Sequence, residues 1–240
     1  MNNLKKNLKK NGFVLIKGFL SKEKNFLSFK KYLDHFLIKS LKNTNKNNID
    51  KIITKHFNSG SNISAYINDY INLSPKLYKV LVSNKIISLI SKINNSDKED
   101  LIFNNPRFRI QIPNNDRISN LPWHQDSHYN TIKNTNSIVV WISIGKITKQ
   151  MGPIIFKIGS HKWGELRKKT IKKSNGGIAH TINVKNSRIK NLKTASVPTT
   201  PGDVILIDMN CVHTSGKNKT IDKIKYSVQA RYHVTKKFIN

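Results

Sequence analysis

The sequence predicts an α+β fold, with helices in the first hundred residues packed on a barrel or jelly roll built from the remainder. Two observations predict it. Up to about residue 100, apolar residues recur at helical spacing, most clearly Phe26, Phe29, Leu33, Phe36 and Leu37, a stripe at i, i+3 and i+4. After Leu101 they fall into short β-branched or alternating runs separated by Gly, Pro and Asn, the texture of a sheet that curls or closes on itself. The 240 residues suffice for one large domain and are marginal for two, so residues 1–240 are read as one domain.

Taken in order, residues 12–20 (GFVLIKGFL) predict a short strand. Ser21 is the expected N-cap of the helix that follows, with Glu23 in its first turn. Residues 42–48 are polar and predict a loop. Residues 50–57 and 74–93 predict helices, the second with Pro75 at its first position. Beyond Leu101, residues 107–113, 137–144, 153–158, 204–209 and 226–233 predict strands. Residues 168–193 are rich in Lys, Ser and Gly with weak periodicity. A connector that long without a core-building pattern predicts a mobile lid at the barrel mouth.

The net charge of +30 invites a nucleic-acid reading. Composition argues otherwise. Arg stands at six positions, leaving 37 Lys among the 43 basic residues. Lys, Asn and Ile, all abundant here, share AT-rich codons, so a biased genome yields this composition without selection for a basic patch. Nucleic-acid readers favour Arg for bidentate contacts, and here the basic residues are scattered along the chain. No specific nucleic-acid partner is expected. No run of about 18 apolar residues exists, so no membrane span is expected. Residues 1–11 do not read as a secretory signal, and the single cysteine, Cys211, cannot form an internal disulfide. The expected location is the reducing cytoplasm.

The chemistry centres on Pro122-Trp123-His124-Gln125-Asp126. In a strand, residues i and i+2 share a face, which sets an imidazole nitrogen beside a carboxylate oxygen. A second imidazole would complete a 2-His-1-carboxylate face, which suits iron(II) and leaves three positions open. His213 is the candidate: it closes an apolar strand 89 residues downstream of His124, where only folding could bring it to the pair. Alone, His-x-Asp is more often a surface pair near a turn.

The neighbourhood changes the reading. PWHQD, Trp141, MGPIIFKIGSHKWG (residues 151–164), PGDVILID (residues 201–208) and HTSG (residues 213–216) occur in that order. The chain resembles the phytanoyl-CoA dioxygenase family of iron(II)/2-oxoglutarate oxygenases over roughly residues 100–235 and the opening NGFVLIKGFL. The resemblance implies a double-stranded β-helix, a jelly roll of the cupin-like kind. It implies iron(II) held by His124, Asp126 and His213, with 2-oxoglutarate as co-substrate, dioxygen, and a small-molecule substrate that is hydroxylated. A carboxylate at position 126 argues for oxygen transfer rather than halogenation. The family grips the far carboxylate of 2-oxoglutarate with an Arg about a dozen residues past the distal His. Lys225 stands there instead and can pair as a point charge rather than a fork. Lys223 and Arg231 are the alternatives. Trp141 matches a family Trp that lies beside the co-substrate.

Other residues carry weaker expectations. Arg109 and Gln111 precede the metal motif; facing inward, they could bind a carboxylate or substrate. His128 and Tyr129 either line the substrate pocket or lie on the surface. His161 in GSHKWG reads as structural, with Gly159 and Gly164 supplying turn geometry. His35, His56, His180 and His233 have no partner motif. Cys211, two residues before His213, reads as a core thiol that could approach the metal. Two other function classes compete: a nucleic-acid-binding or -modifying protein, for which the paired-Arg signature of the dealkylating oxygenases is missing, and a jelly roll that binds ligand without turnover, against which the intact triad argues.

Overall fold

The computed structural model describes residues 1–42, 46–113, 121–130, 136–172, 178–186 and 188–235. Helix α1 (Asn2–Asn11) opens the chain where its Lys and Asn content gave no sign of structure. It ends on Gly12, whose φ of 85° is the left-handed conformation that closes helices. Leu4 and Leu8, one turn apart, rest it on the core. Helix α2 (Lys24–Ser40) buries Phe26, Phe29, Leu33 and Leu37, the expected stripe. Its cap is Glu23, whose carboxylate accepts the Phe26 N–H at 2.7 Å. Ser21 is not the cap: the helix begins three residues after it, at Lys24, and its hydroxyl donates to the Gly18 carbonyl at 2.8 Å.

Helices α3 (Ile49–Asn58), α4 (Ile63–Asn72), α5 (Pro75–Leu81) and α6 (Asn84–Asn94) follow. Ser74 caps α5, accepting from the Lys76 N–H, with Pro75 at the first position. The one helix expected over 74–93 is two, because the extended Ser83 interrupts it and starts α6. Of the polar stretch 42–48, residues 43–45 lie outside the described part.

Strands β1 (Phe13–Ile16), β2 (Leu101–Gln111), β3 (Ile138–Ser143), β8 (Val204–Asp208) and β10 (Lys225–Val234) form an antiparallel sheet in the order β1-β8-β3-β10-β2. Strands β4 (Ile154–Lys157), β7 (Thr194–Val197) and β9 (His213–Ser215) form a second, ordered β7-β4-β9. A hairpin of β5 (Lys169–Lys172) and β6 (Ile178–Thr181) stands apart. Alternation divides the large sheet cleanly. Phe108, Val140, Leu206, Val228 and Tyr232 turn outward and bury α2 to α6 against the sheet. Val139, Trp141, Ile205 and Ile207 turn inward and meet Ile154 and Phe156 of β4. Phe13 stacks on Phe156 with centroids 4.0 Å apart.

Strand β2 starts six residues earlier than its sequence suggests. Gln229 pairs with Arg107, but Arg231 pairs with Asn104, so an extra residue sits in β2. This is a β-bulge, with Asn105 at φ 48°. It resets the register so that Arg107, Arg109 and Gln111 share a face with Gln229, Ser227 and Lys225. Within the second sheet the backbones approach tightly where β4 begins and its neighbour β9 ends. A Cβ on Gly152 would lie 2.2 Å from the Gly216 carbonyl oxygen, and one on Gly216 would lie 2.6 Å from that of Pro153. Only glycine permits that approach.

The segment 168–193 is more built than its composition suggests. Besides the hairpin it buries Ile182 and Ile189 against Val212, with Trp123, Leu166 and Leu192 around them. Residues 173–177 and 187 of this segment lie outside the described part. Among the described residues, no helix is long and apolar enough to cross a membrane.

Candidate active site

His124 and His213 face each other across an isolated antiparallel bridge, each N–H donating to the other's carbonyl at 3.0 Å. The bridge sets the two rings 4.3 Å apart by centroid. Asp126 reaches them by a route the sequence did not suggest: it begins a 3-10 turn, Asp126–Tyr129, rather than continuing a strand. Gln125 pins the turn. Its amide donates to the carbonyls of Gly164 (2.8 Å) and Asn210 (2.6 Å) and accepts from the Leu166 N–H (2.8 Å). One ligand atom from each of His124, Asp126 and His213 then lies within 4.8 Å of the others, and all three residues are buried. Among the described residues no other such group of three is present.

The protonation pattern follows from the partners. His124 Nδ1 lies 2.7 Å from the Pro122 carbonyl and His213 Nδ1 lies 2.9 Å from the Cys211 carbonyl. A carbonyl oxygen only accepts, so each Nδ1 carries a hydrogen, which leaves Nε2 as the atom of each ring that can bind a metal. Burial, and then His213 alongside, push the His124 pKa down to about 3, so the ring is neutral. Burial opposes charge on Asp126, but the Arg231 guanidinium beside it outweighs burial and holds the carboxyl well below the usual carboxylate range. The Asp126 Oδ2 lies 3.5 Å from His213 Nε2, while Oδ1 is taken by the Arg231 guanidinium. Two imidazole nitrogens and one anionic oxygen, converging on one side, are donors that can hold a divalent metal.

The inner face of β10 and its neighbours supply cations. Lys225, buried, donates from Nζ to the Gly152 carbonyl at 2.7 Å. Burial, and then Arg109, lower its pKa to about 7. Arg109 stands opposite Ser227 on this face, and Trp141 stands opposite Gln229. Gln111, opposite Lys225, donates to the Gly216 carbonyl at 3.2 Å. Lys223 lies before the strand and is exposed, so the face expected to hold Lys223, Lys225 and Arg231 holds only the last two.

Around the turn, His128 Nε2 meets the Leu166 carbonyl at 2.8 Å, and the Tyr129 hydroxyl accepts the His180 N–H at 2.8 Å. Tyr129 also stands edge-on to His124. His180 and His233, which had no partner motif, therefore lie near the cluster. His233 Nδ1 is 2.7 Å from the Ser137 hydroxyl, two residues along β10 from Arg231. The missed feature is the Arg231–Asp126 pair, whose members are 105 residues apart; no local pattern could have joined them.

The remaining candidates are structural in their contacts. His161 meets the Lys9 carbonyl at 3.0 Å, tying α1 to the turn at Ser160–Trp163. Gly159 and Gly164 take φ of 77° and 66° there. Cys211 is fully buried beside Ser160 and does not join the cluster; burial raises its thiol pKa. His35 and His56 are exposed.

The profile of the phytanoyl-CoA dioxygenase (PhyH) family matches residues 8–225. The chain belongs to the phytanoyl-CoA dioxygenase family. No curated protein sequence matches it. Among solved structures, the epimerase SnoN in complex with Fe3+, alpha ketoglutarate and nogalamycin RO is 14% identical, with a TM-score of 0.67 over 97% of this chain and 83% of that one. EvdO2 from Micromonospora carbonacea var. aurantiaca, complexed with 2-oxoglutarate, is 14% identical, with a TM-score of 0.65 over 98% of this chain and 91% of its own. EctD from S. alaskensis with bound Fe is 12% identical, with a TM-score of 0.65 over 98% and 76%. The fold of this family member is thus the expected jelly-roll core with helices packed on one sheet.

Proposed function

We propose that the chain is an iron(II)- and 2-oxoglutarate-dependent oxygenase, a single domain that hydroxylates a small molecule. In this reading His124, Asp126 and His213 hold the iron. The observation that carries it is the convergence of two imidazole nitrogens and one carboxylate oxygen within 4.8 Å, with each ring's Nδ1 already engaged by a carbonyl. Three protein ligands on one face leave the opposite face for co-substrate and dioxygen. Solved structures of the same fold that hold 2-oxoglutarate or iron support the assignment.

Bound there, iron(II) with 2-oxoglutarate supplies the activation of dioxygen, and the protein supplies placement. The carbonyls of Pro122 and Cys211 hold the two rings with Nε2 inward, a fixing of tautomer and orientation by outer partners. Arg231 occupies one oxygen of Asp126 and so leaves the other for the metal. Lys225 receives the far carboxylate of 2-oxoglutarate, exchanging the Gly152 carbonyl for a charged partner. Trp141, a member of the inner core cluster, would stand beside the co-substrate. The β5–β6 hairpin, joined to Tyr129, roofs the site as its lid.

The test is an anaerobic titration of iron(II) and 2-oxoglutarate, read by the weak visible charge-transfer band of the chelate. Wild type develops the band and, in air, releases succinate. Asp126→Ala does neither. Full 2-oxoglutarate consumption by a metal-checked Asp126→Ala protein would sink the assignment.

A further inference from the structure

The inner face of β2 and β10 holds more positive charge than the proposed chemistry uses. Lys225 is assigned to 2-oxoglutarate, and Arg231 is engaged by Asp126. Arg109 lies on the same face, between them in register, opposite Ser227. Its Nε is buried and has no hydrogen-bond partner among the described residues. Its charged neighbours are mostly alike in sign: burial and then Arg231 lower its pKa to about 10, against the weaker pull of Asp126.

Counting charges shows the excess. Lys225 protonated, Arg109 and Arg231 set three positive charges against the one on Asp126. Iron(II) adds two and 2-oxoglutarate removes two, which leaves two positive charges on this face, where Arg109 is half-buried with its Nε fully covered. Uncompensated charge away from water is costly, and a buried donor without a partner adds to the cost. The guanidinium fork is the group that best matches a planar or tetrahedral oxyanion. The chain carries +30 overall, and positively charged clefts concentrate small anions from solution.

Building on the iron and 2-oxoglutarate reading, we propose that the primary substrate is a small organic anion and that Arg109 receives its acidic group, a carboxylate or a phosphate. The remaining positive charge favours anionic over neutral molecules at the open face.

The experiment is calorimetric binding of three probes, propionate, inorganic phosphate and neutral propionamide, to the anaerobic protein loaded with iron(II) and 2-oxoglutarate. At least one anion should bind saturably and propionamide should not; which anion binds identifies the acid group. Arg109→Gln should weaken the anion at least tenfold while the affinity for 2-oxoglutarate moves less than threefold. Arg109→Lys, which keeps the charge and loses the fork, should fall between the two. Failure of both anions to bind, equal binding to Arg109→Gln, or a tenfold loss of 2-oxoglutarate in that variant would overturn the proposal, the last by moving Arg109 to the co-substrate. If wild type forms no charge-transfer band, the iron reading fails separately. Anion binding to the metal-free protein that Arg109→Gln abolishes would still uphold the site, and its absence there would overturn it.

Discussion

Asp126 offers two oxygens, and the structure treats them differently: Arg231 holds one and the other faces His213. Removing one partner of a buried pair leaves the other charge uncompensated, and loss of an outer partner of a metal ligand typically costs about 10- to 100-fold in metal affinity. Arg231→Gln should therefore weaken iron(II) binding by that factor, measured anaerobically against a competing chelator, with Arg231→Lys recovering part of it. Unchanged affinity would show that Arg231 does not orient the carboxylate. Lys225 makes a second prediction through pH. Its folded pKa is about 7, below the ordinary value of 10.5, because of burial and then Arg109, the charged group set against it. Between those values the unfolded chain binds a proton that the folded chain does not, so this residue's contribution to stability rises with pH across that window. A carboxylate arriving at Lys225 must bring the proton back. The affinity for 2-oxoglutarate should thus fall as pH rises above about 7, with proton uptake visible by calorimetry in buffers of different ionisation enthalpy. Lys225→Ala should weaken 2-oxoglutarate strongly at every pH with iron binding nearly intact. Lys225→Arg, always protonated, should flatten the profile. A flat profile in wild type would remove Lys225 from the co-substrate and return Arg231 or Arg109 as its anchor.

At the scale of elements, β3 and β8 were legible because both their faces are apolar: they lie between the helices and the inner core, so they read as continuous β-branched runs. Strand β10 was legible by alternation, with Tyr226, Val228, Ala230 and Tyr232 toward the helices and polar residues between them toward the site. Helix α2 was legible for the complementary reason, a one-sided stripe on a long helix. Elements that escaped are short or supported from elsewhere. Strand β9 is three residues long and exists because His213 pairs with His124 on one side and Phe156 on the other. Helix α4 is held through Ile67 and Ile71 amid Asn and Tyr. The first half of β2 was hidden by Pro106 and the bulge, and with it the reason that Arg109 faces inward. The triad was legible from motif order, but the turn that delivers Asp126 was not, since Gln125 is fixed by partners 39 and 85 residues away. The β5–β6 hairpin carries a prediction of its own. Its backbone is joined to the turn through the Tyr129 hydroxyl, which accepts the His180 N–H at 2.8 Å. Tyr129→Phe removes that acceptor, so trypsin should cut between Lys168 and Lys193 faster than in wild type, and 2-oxoglutarate with iron should slow the cut in both. Equal cleavage rates would show that the apolar contacts of Ile182 and Ile189 alone hold the segment.

For the whole molecule the question is what a charge of +30 does. The distribution of the two basic residue types separates two answers. Lysines cover the surface: among the described residues only Lys157 and Lys225 are buried, and Lys157 is spent on the carbonyls of Lys190 and Leu192 and on the face of Trp123. Arginine, used six times, appears at positions 107, 109 and 231 on the strands beside the site. Arg231 is buried and Arg109 half-buried there, while Arg107, Arg167 and Arg188 join lysine on the exterior, so the exterior charge is mostly lysine, which compositional drift supplies. A surface of scattered point charges attracts any polyanion but reads no base edges, because sequence discrimination rests on bidentate side chains in a groove. Duplex DNA should therefore bind weakly and without sequence preference. For about 6 to 10 phosphate contacts, counterion release predicts a fall of roughly 10³- to 10⁵-fold in affinity between about 50 and 200 mM salt. The same salt change should leave iron binding almost untouched, since buried pairs are screened far less than exposed ones. The measurement is a fluorescence anisotropy titration of labelled duplexes of several sequences at both salt concentrations, run beside the iron titration. Nanomolar, sequence-dependent binding that survives the higher salt would make the basic surface a recognition surface, and the substrate of the site would then have to be sought on a nucleic acid.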